Sequence, residues 1–345
     1  MTTGAESTVD PRRFLPFRRE LAYFVKEQGF GRRKSVLAGA AALLAALIIL
    51  IFLNSLTQGK FLKPENINSI FMHALVPAFI AWGYCFIFAL GYTDLSVYSI
   101  VILGAYAGGE LGNRIGVPGV LIGGIITGIV LMSVNFNLFV WTKVPSWIGG
   151  LGMCMVYEAI AAFYSAQCVA RGETVVLLDE QYRALMQPPW VYVIFLLGFV
   201  MTYLLYNRTP MGLNVRAIGS NSAVSKAMGI RIPQVLILTG AASGLLIGVA
   251  ASLQISYSGR IFPQTGLSSL TSIFQPLATV LLAQVLEKRV NIVISIPFCA
   301  VFVYACFNLL TMLGVPSGTL QEAVLGCCVV IFGGIAQRGV RGVVK

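Results

Sequence analysis

The chain has 345 residues, of which 57% are hydrophobic and 11% charged, with a mean hydropathy of +0.83 and a formal net charge of +11. Apolar runs of about twenty residues recur throughout, which excludes a string of soluble domains and makes this a polytopic membrane protein. No ten-residue alternation of a lipid-facing barrel strand is present, and the basic residues carry no aromatic-interleaved pattern for nucleic acid, so the class is all-α with no nucleic-acid partner.

Apolar runs between breakers predict about ten transmembrane helices, at roughly 36–56, 67–90, 95–112, 118–141, 146–165, 188–206, 232–256, 267–286, 291–313 and 319–336. With the N-terminus in the cytoplasm, eighteen of the 24 basic residues fall inside, and Lys60, Lys63, Arg114, Arg171, Arg183 and Arg260 fall outside. That asymmetry predicts both termini cytoplasmic. The organisation expected is a basic N-terminal segment, 1–35, followed by a transmembrane domain, 36–345, with a cytoplasmic loop at 207–231.

In the N-terminal segment, Phe14, Phe17, Leu21, Phe24 and Val25 alternate with basic residues between Arg12 and Lys34. A short helix lying on the inner leaflet and a flexible basic tail both fit. The first apolar run has full span length and no small-residue cleavage site after it, so it is not read as a secretory signal.

The second span carries His73 four residues before Pro77, read as a satisfied buried histidine rather than a ligand or base. Next comes FALGYTDLSVYSIVILGAYAGG, where Gly91, Thr93, Asp94, Ser96 and Ser99 interrupt two apolar runs without room for a loop. A helix broken near 91–99 is expected, with Asp and Ser capping the following half-helix. Irregular backbone at membrane depth also suits a water-filled path, which makes the break the best pointer to a permeation route.

In the fifth span Glu158 stands about half a helix beyond Pro145, near mid-membrane, where either a structural hydrogen bond or a polar path fits. Glu110 and Glu322 sit near outer span ends and read as solvated. Cys85, Cys154, Cys168, Cys299, Cys306, Cys327 and Cys328 show no ligand spacing with His73 and read as small apolar residues.

The loop NRTPMGLNVRAIGSNSAVSKAMGIR, from Asn207 to Arg231, reads as two short helices. Pro210 starts the first and Gly219 stops it; Ser220 or Asn221 caps the second, which Gly229 ends. Val224, Ala227 and Met228 beside Arg216 and Lys226 make a knob suited to a groove on a soluble partner. The chain has no phosphate loop, nucleophile elbow or metal cluster, so it is not read as an enzyme and no cofactor or metal is assigned to it. Any energy source must be another polypeptide or an ion gradient.

FLKPENINSIF before the second span, DLSV with Ser99 after it, VPSWIGGLGM entering the fifth, TPMGLNVRAIGSNSAVSKAMGI in the loop and LLTMLGVPSGTLQEAVLG before the last span occur in order. With these landmarks the chain, from about Asn54 to Gln337, resembles the membrane permeases of ribose, galactose and xylose type ATP-binding-cassette importers. The resemblance implies a bacterial inner-membrane core of two permeases, two cytoplasmic ATPases that hold ATP and Mg, and an extracytoplasmic binding protein that delivers a sugar or similar solute. It implies that DLSVYS, with Asp94, Ser96, Tyr98 and Ser99, lines the translocation path; Glu158 is kept as a path candidate on its mid-membrane position alone. It also implies a helix seated on the ATPase, with coupling residues Arg216, Gly219, Ser220, Asn221, Ala223, Lys226, Met228 and Gly229.

The chain departs from that pattern in three places. A glycine-rich turn is replaced by LLAQVLEKR, Leu281 to Arg289; Tyr98 stands where glycine is usual; and Glu158-Ala159 replaces an Arg-Gly pair. These changes suggest pairing with a second, more typical permease, although a homodimer remains open. Among the aromatics Tyr92, Tyr98, Tyr257 and Phe262, stacking on a sugar is expected only of Tyr98. Two other readings stay open: a stand-alone ion-coupled transporter using Asp94 and Glu158, and a scaffold subunit that does not transport.

Overall fold

A chain that must leave water satisfies its backbone polar groups within each segment, and the α-helix does this. The computed structural model describes residues 51–52, 54–172, 175, 177–287, 289–315 and 318–336. Eleven α-helices occur among them: α1 Pro64–Ala89, α2 Val97–Ile115, α3 Val117–Thr142, α4 Ser146–Ala170, α5 Trp190–Arg208, α6 Pro210–Ser220, α7 Ser222–Ala227, α8 Ile232–Ser258, α9 Ser269–Leu286, α10 Ile292–Met312 and α11 Thr319–Ala336. A short 3-10 helix, Glu180–Met186, lies between α4 and α5. Among the described residues there is no strand, only an isolated antiparallel bridge between Leu177 and Arg260.

Seven helices, α1, α3, α4, α5, α8, α9 and α10, are long and apolar enough to cross a membrane. With α2 and α11 they stand where nine of the expected spans were placed. Segment 1–35 and most of the expected first span, 36–56, lie outside the described residues. The fifth segment runs five residues further than its apolar run suggested, to Ala170.

The described residues up to Lys63 and those from Pro64 onward belong to two different units. In the first, Asn54 Oδ1 accepts the Leu62 N–H at 3.1 Å and Thr57 Oγ1 accepts the Phe61 N–H at 3.2 Å, which closes the turn after Leu56.

In the second unit α1 and α8 are central, with 89% and 72% of their apolar windows buried against 22% for α5. Small residues set how closely the helices approach. Gly124 and Gly128 of α3 face Gly244 and Gly248 of α8, and a β-carbon on any of the four would overlap the opposing main chain. Ser252 Oγ of α8 fastens the same pair by donating to the Val120 carbonyl at 2.9 Å. Around this seam Phe79, Trp82, Tyr84 and Phe86 of α1 form the bulk of the core. Trp82 is wholly buried and its indole N–H reaches the Val293 carbonyl of α10 at 3.0 Å, so its polar atom is satisfied. Pro77, Pro276 and Pro297 lie inside α1, α9 and α10, each removing one main-chain hydrogen bond from its helix.

The loop 207–231 differs from expectation in one respect. Gly219 does not stop a helix; α6 continues through Ser220, and Gly219 is the point where α6 abuts the end of α1. Asn221 ends α6 and caps α7, its Oδ1 accepting the Ala223 and Val224 N–H groups at 3.1 Å each. Gly229 then turns the chain at φ +85°, a conformation that costs any other residue about 1–2 kcal/mol.

Candidate functional site

The chain breaks between α1 and α2 at Leu90–Ser96, and the broken ends are held by a polar network with no exposure at Asp94, Ser96 or Asn135. Asp94 Oδ1 accepts from the Ser96 N–H at 2.8 Å and the Ser96 hydroxyl at 2.7 Å; Oδ2 accepts from Asn135 Nδ2 of α3 at 2.8 Å. Tyr157 of α4 donates its hydroxyl to Asn135 Oδ1 at 2.7 Å, and Tyr84 of α1 donates to the Asp94 carbonyl at 2.8 Å. Ser96 makes no side-chain cap bond of its own, and Asp94 instead holds the turn into α2 through the Ser96 N–H. A buried carboxylate is stable only with such full ligation, and here each oxygen has a donor. Ser99 is turned inward and donates to the Ser96 carbonyl at 2.7 Å.

Glu158 has a parallel role. Its Oε2 accepts the Leu267 N–H at 2.8 Å and its Oε1 the Ser269 N–H at 2.9 Å, so a carboxylate from α4 caps α9. Ser268 at the helix start makes no side-chain cap bond, and Leu267 is held at φ +65°. A negative charge at that position also meets the positive end of the helix dipole.

A cavity of about 620 Å³ opens beside these two capped breaks. Its walls come from α1, α2, α8, α9, α10 and α11, and Tyr98 is the one expected path residue that lines it; Asp94, Ser96, Ser99 and Glu158 do not. Gln254, Gln275, Asn308 and Gln321 give it amides that both donate and accept. On one side His73 stacks on Tyr304 at 4.9 Å with the rings 6° apart, and the Tyr257 hydroxyl lies 2.6 Å from His73 Nε2. Among the described residues Glu322 is the only carboxylate on the wall, and Pro77 and Pro276, inside α1 and α9, also line it. Asn308 is braced from behind by a reciprocal amide pair with Asn66, 3.1 Å in each direction.

Histidine 73 thus has the partner expected of it but is half-exposed on a cavity wall rather than buried. Tyr257 also lines the cavity, whereas Phe262 is 64% exposed elsewhere, under the Arg260 guanidinium at 5.6 Å. Glu110 is not simply solvated: it accepts the Tyr164 hydroxyl at 2.6 Å and pairs with Arg114 at 3.8 Å. Cys85, Cys154, Cys168 and Cys299 are buried as expected, while Cys306 and Cys327 are exposed. Sequence reasoning missed Asn135 and Tyr157, and it missed the four cavity amides.

On the loop, Ala223, Lys226 and Gly229 are exposed, and Val224 and Met228 are apolar side chains left 53% and 76% exposed. Val215 and Ile218 anchor α6 in the core. Arg216 points back toward the helices: its Nε donates to the Gly212 carbonyl at 3.2 Å and its guanidinium lies 5.2 Å from the Tyr206 ring centre.

Residues 66–333 match the protein family described as "Branched-chain amino acid transport system / permease component". The chain is 27% identical over 239 residues to an L-arabinose ABC transporter permease protein of Azospirillum brasilense, covering 66% of this chain and 68% of that protein. It is 24% identical over 237 residues to a fructose import permease protein of Rhizobium meliloti, covering 66% of each. It is 29% identical over 238 residues to a ribose import permease protein of Haemophilus influenzae, covering 65% of this chain and 71% of that protein. No solved structure gives a significant match.

Proposed function

The chain belongs to the family of branched-chain amino acid transport system permease components, with sugar permeases among its relatives, and from this we propose that it forms the translocation path of an ATP-driven importer for a sugar or similar small polar solute. The observation that carries the reading is the 620 Å³ cavity. Its size is within the range of small-ligand sites. Neutral amides and flat aromatic faces suit a polyhydroxylated, uncharged solute, whose hydroxyls need partners that both donate and accept and whose C–H faces stack on rings. Among the described residues no lysine or arginine lines it to favour an anion.

In this reading an extracytoplasmic binding protein delivers the solute, and ATP hydrolysis takes place on separate cytoplasmic subunits that hold ATP and Mg. The exposed α7, with Ala223, Lys226 and Met228, seats on an ATPase subunit. Ser220, Asn221 and Gly229 set its shape, and Arg216 and Gly219 tie it to the spans. Movement of α7 reaches the break at Leu90–Ser96 through the contact of Gly219 with the end of α1. Asp94, Ser96, Ser99 and Glu158 hold the broken helix ends beside the path, and Tyr98 faces the solute. The excess of basic residues at one end of the spans supports a cytoplasmic position for this loop. A second permease completes the core, and the bulky Leu281 to Arg289 segment favours a partner of different sequence.

The ion-coupled alternative has less support, because Asp94 and Glu158 spend their oxygens on the chain's own donors. Reconstitution in vesicles with the ATPase, the binding protein and any second permease encoded beside this chain should give solute accumulation that requires ATP inside. Uptake without any ATPase, collapsed by an uncoupler, would overturn the reading.

A further inference from the structure

At the opposite end of the helices from the 620 Å³ cavity, a groove of about 1030 Å³ lies where the end of α3, the starts of α4 and α8 and the break after α1 meet. Lys143, Lys226 and Arg231 line it, no carboxylate does, and none of the three makes an ion pair among the described residues. The floor beneath these cations is apolar, with Phe139, Ile232 and Leu236. We propose that this groove binds the headgroup of an anionic phospholipid, its phosphate on Lys143 and Arg231 and its first acyl carbons on the apolar floor.

Three features favour a lipid over an acidic segment of a soluble partner. Trp147 lines the groove and Trp141 stands two residues before Lys143, 52% and 90% exposed, and exposed indoles favour the membrane surface. From Trp147, exposed apolar side chains continue along α4 through Ile148, Val156, Ile160 and Phe163, which offers a track for an acyl chain. Lys143 ends α3 at φ +54°, in the left-handed region that glycine or asparagine takes more cheaply, so an ammonium is held where the backbone disfavours it. Basic pockets between helix ends on the cytoplasmic side are a general means of holding anionic headgroups, and each cation near such a surface strengthens binding about fivefold.

The test uses the purified full-length chain in nanodiscs, with tryptophan fluorescence quenched by brominated phosphatidylglycerol or brominated phosphatidylcholine. Stronger quenching by the glycerol lipid is expected. The variant K143Q/R231Q should weaken that preference about thirtyfold. K143G, which relieves the left-handed lysine, should raise the melting temperature in lipid-free detergent while still lowering the preference. Equal quenching by both lipids, or an undiminished preference in the double variant, overturns the proposal. Displacement of the glycerol lipid by millimolar inorganic phosphate assigns the site to a free anion and also overturns it. Loss of ATPase binding in the double variant with lipid preference intact would give these cations to the ATPase instead.

Discussion

Gly219 of α6 lies against the main-chain oxygen of Ala89, the last residue of α1, so closely that a β-carbon at 219 would overlap it. Alanine there gains about 1 kcal/mol of helix propensity but forces the two elements apart, which costs about 1–3 kcal/mol. In Gly219→Ala, ATPase should still copurify, because α7 is unchanged, while solute-stimulated ATP hydrolysis falls severalfold. Wild-type hydrolysis and uptake in this variant would remove the Gly219–Ala89 contact from the coupling route.

Replacement of Asp94 separates capping from charge. Asn keeps an acceptor for the Ser96 N–H but turns a donor toward Asn135 Nδ2 or loses it; Ala removes the acceptor of all three donors and leaves the Ser96 N–H buried and unpaired, at about 1–3 kcal/mol. Thermal unfolding in detergent should rank wild type above Asp94→Asn and Asp94→Ala lowest. Transport retained in Asp94→Asn at reduced stability would mark a cap, whereas transport lost with an unchanged melting temperature would mark a required charge.

Gln275→Leu and Asn308→Leu each place a branched apolar side chain on the cavity wall where an amide could meet a hydroxyl. Losing one such partner for a bound hydroxyl costs about 1 kcal/mol, or roughly fivefold. Concentration-dependent uptake in vesicles should show a higher KM with ATPase assembly unchanged, and Tyr98→Ala should lower uptake more than Tyr98→Phe. Unaltered transport in all of these would move the path away from the cavity.

Ala223→Glu puts a carboxylate between the exposed Val224 and the start of α7, and Asn221→Ala removes the cap, at about 1 kcal/mol. Both should reduce ATPase retention in a pull-down while leaving the melting temperature of the spans near that of wild type. Full retention by both variants would disqualify α7 as the seat of the ATPase.

The helices were legible in the sequence because an apolar run of span length has few other options, and the break at Asp94 was legible because Gly91, Thr93 and Ser96 crowd one short stretch. Asn135 was not, because nothing in the spacing sets it apart from Asn137 two residues on, and its partner is 41 residues away. The cavity amides were hidden for the same reason: Gln254, Gln275, Asn308 and Gln321 come from four helices, and only packing brings them together. Gly219 misled because a glycine near a helix end usually marks its stop, whereas here the missing β-carbon serves a neighbour. Glu158 was placed between structure and path; two amide donors from a segment over a hundred residues away decide what it holds.

Where Gly124 and Gly128 meet Gly244 and Gly248, main chain touches main chain without side chains to act as bearings. A rotamer change cannot loosen such a contact, so α3 and α8 can turn only together, as a single rigid spindle. In the proposed importer, alternation between open and closed states is then left to α1, α9 and α10, which carry an interior proline and face the cavity. Cysteine pairs bridging α3 and α8 should crosslink equally with and without nucleotide on the ATPase, while pairs bridging α1 and α9 should change.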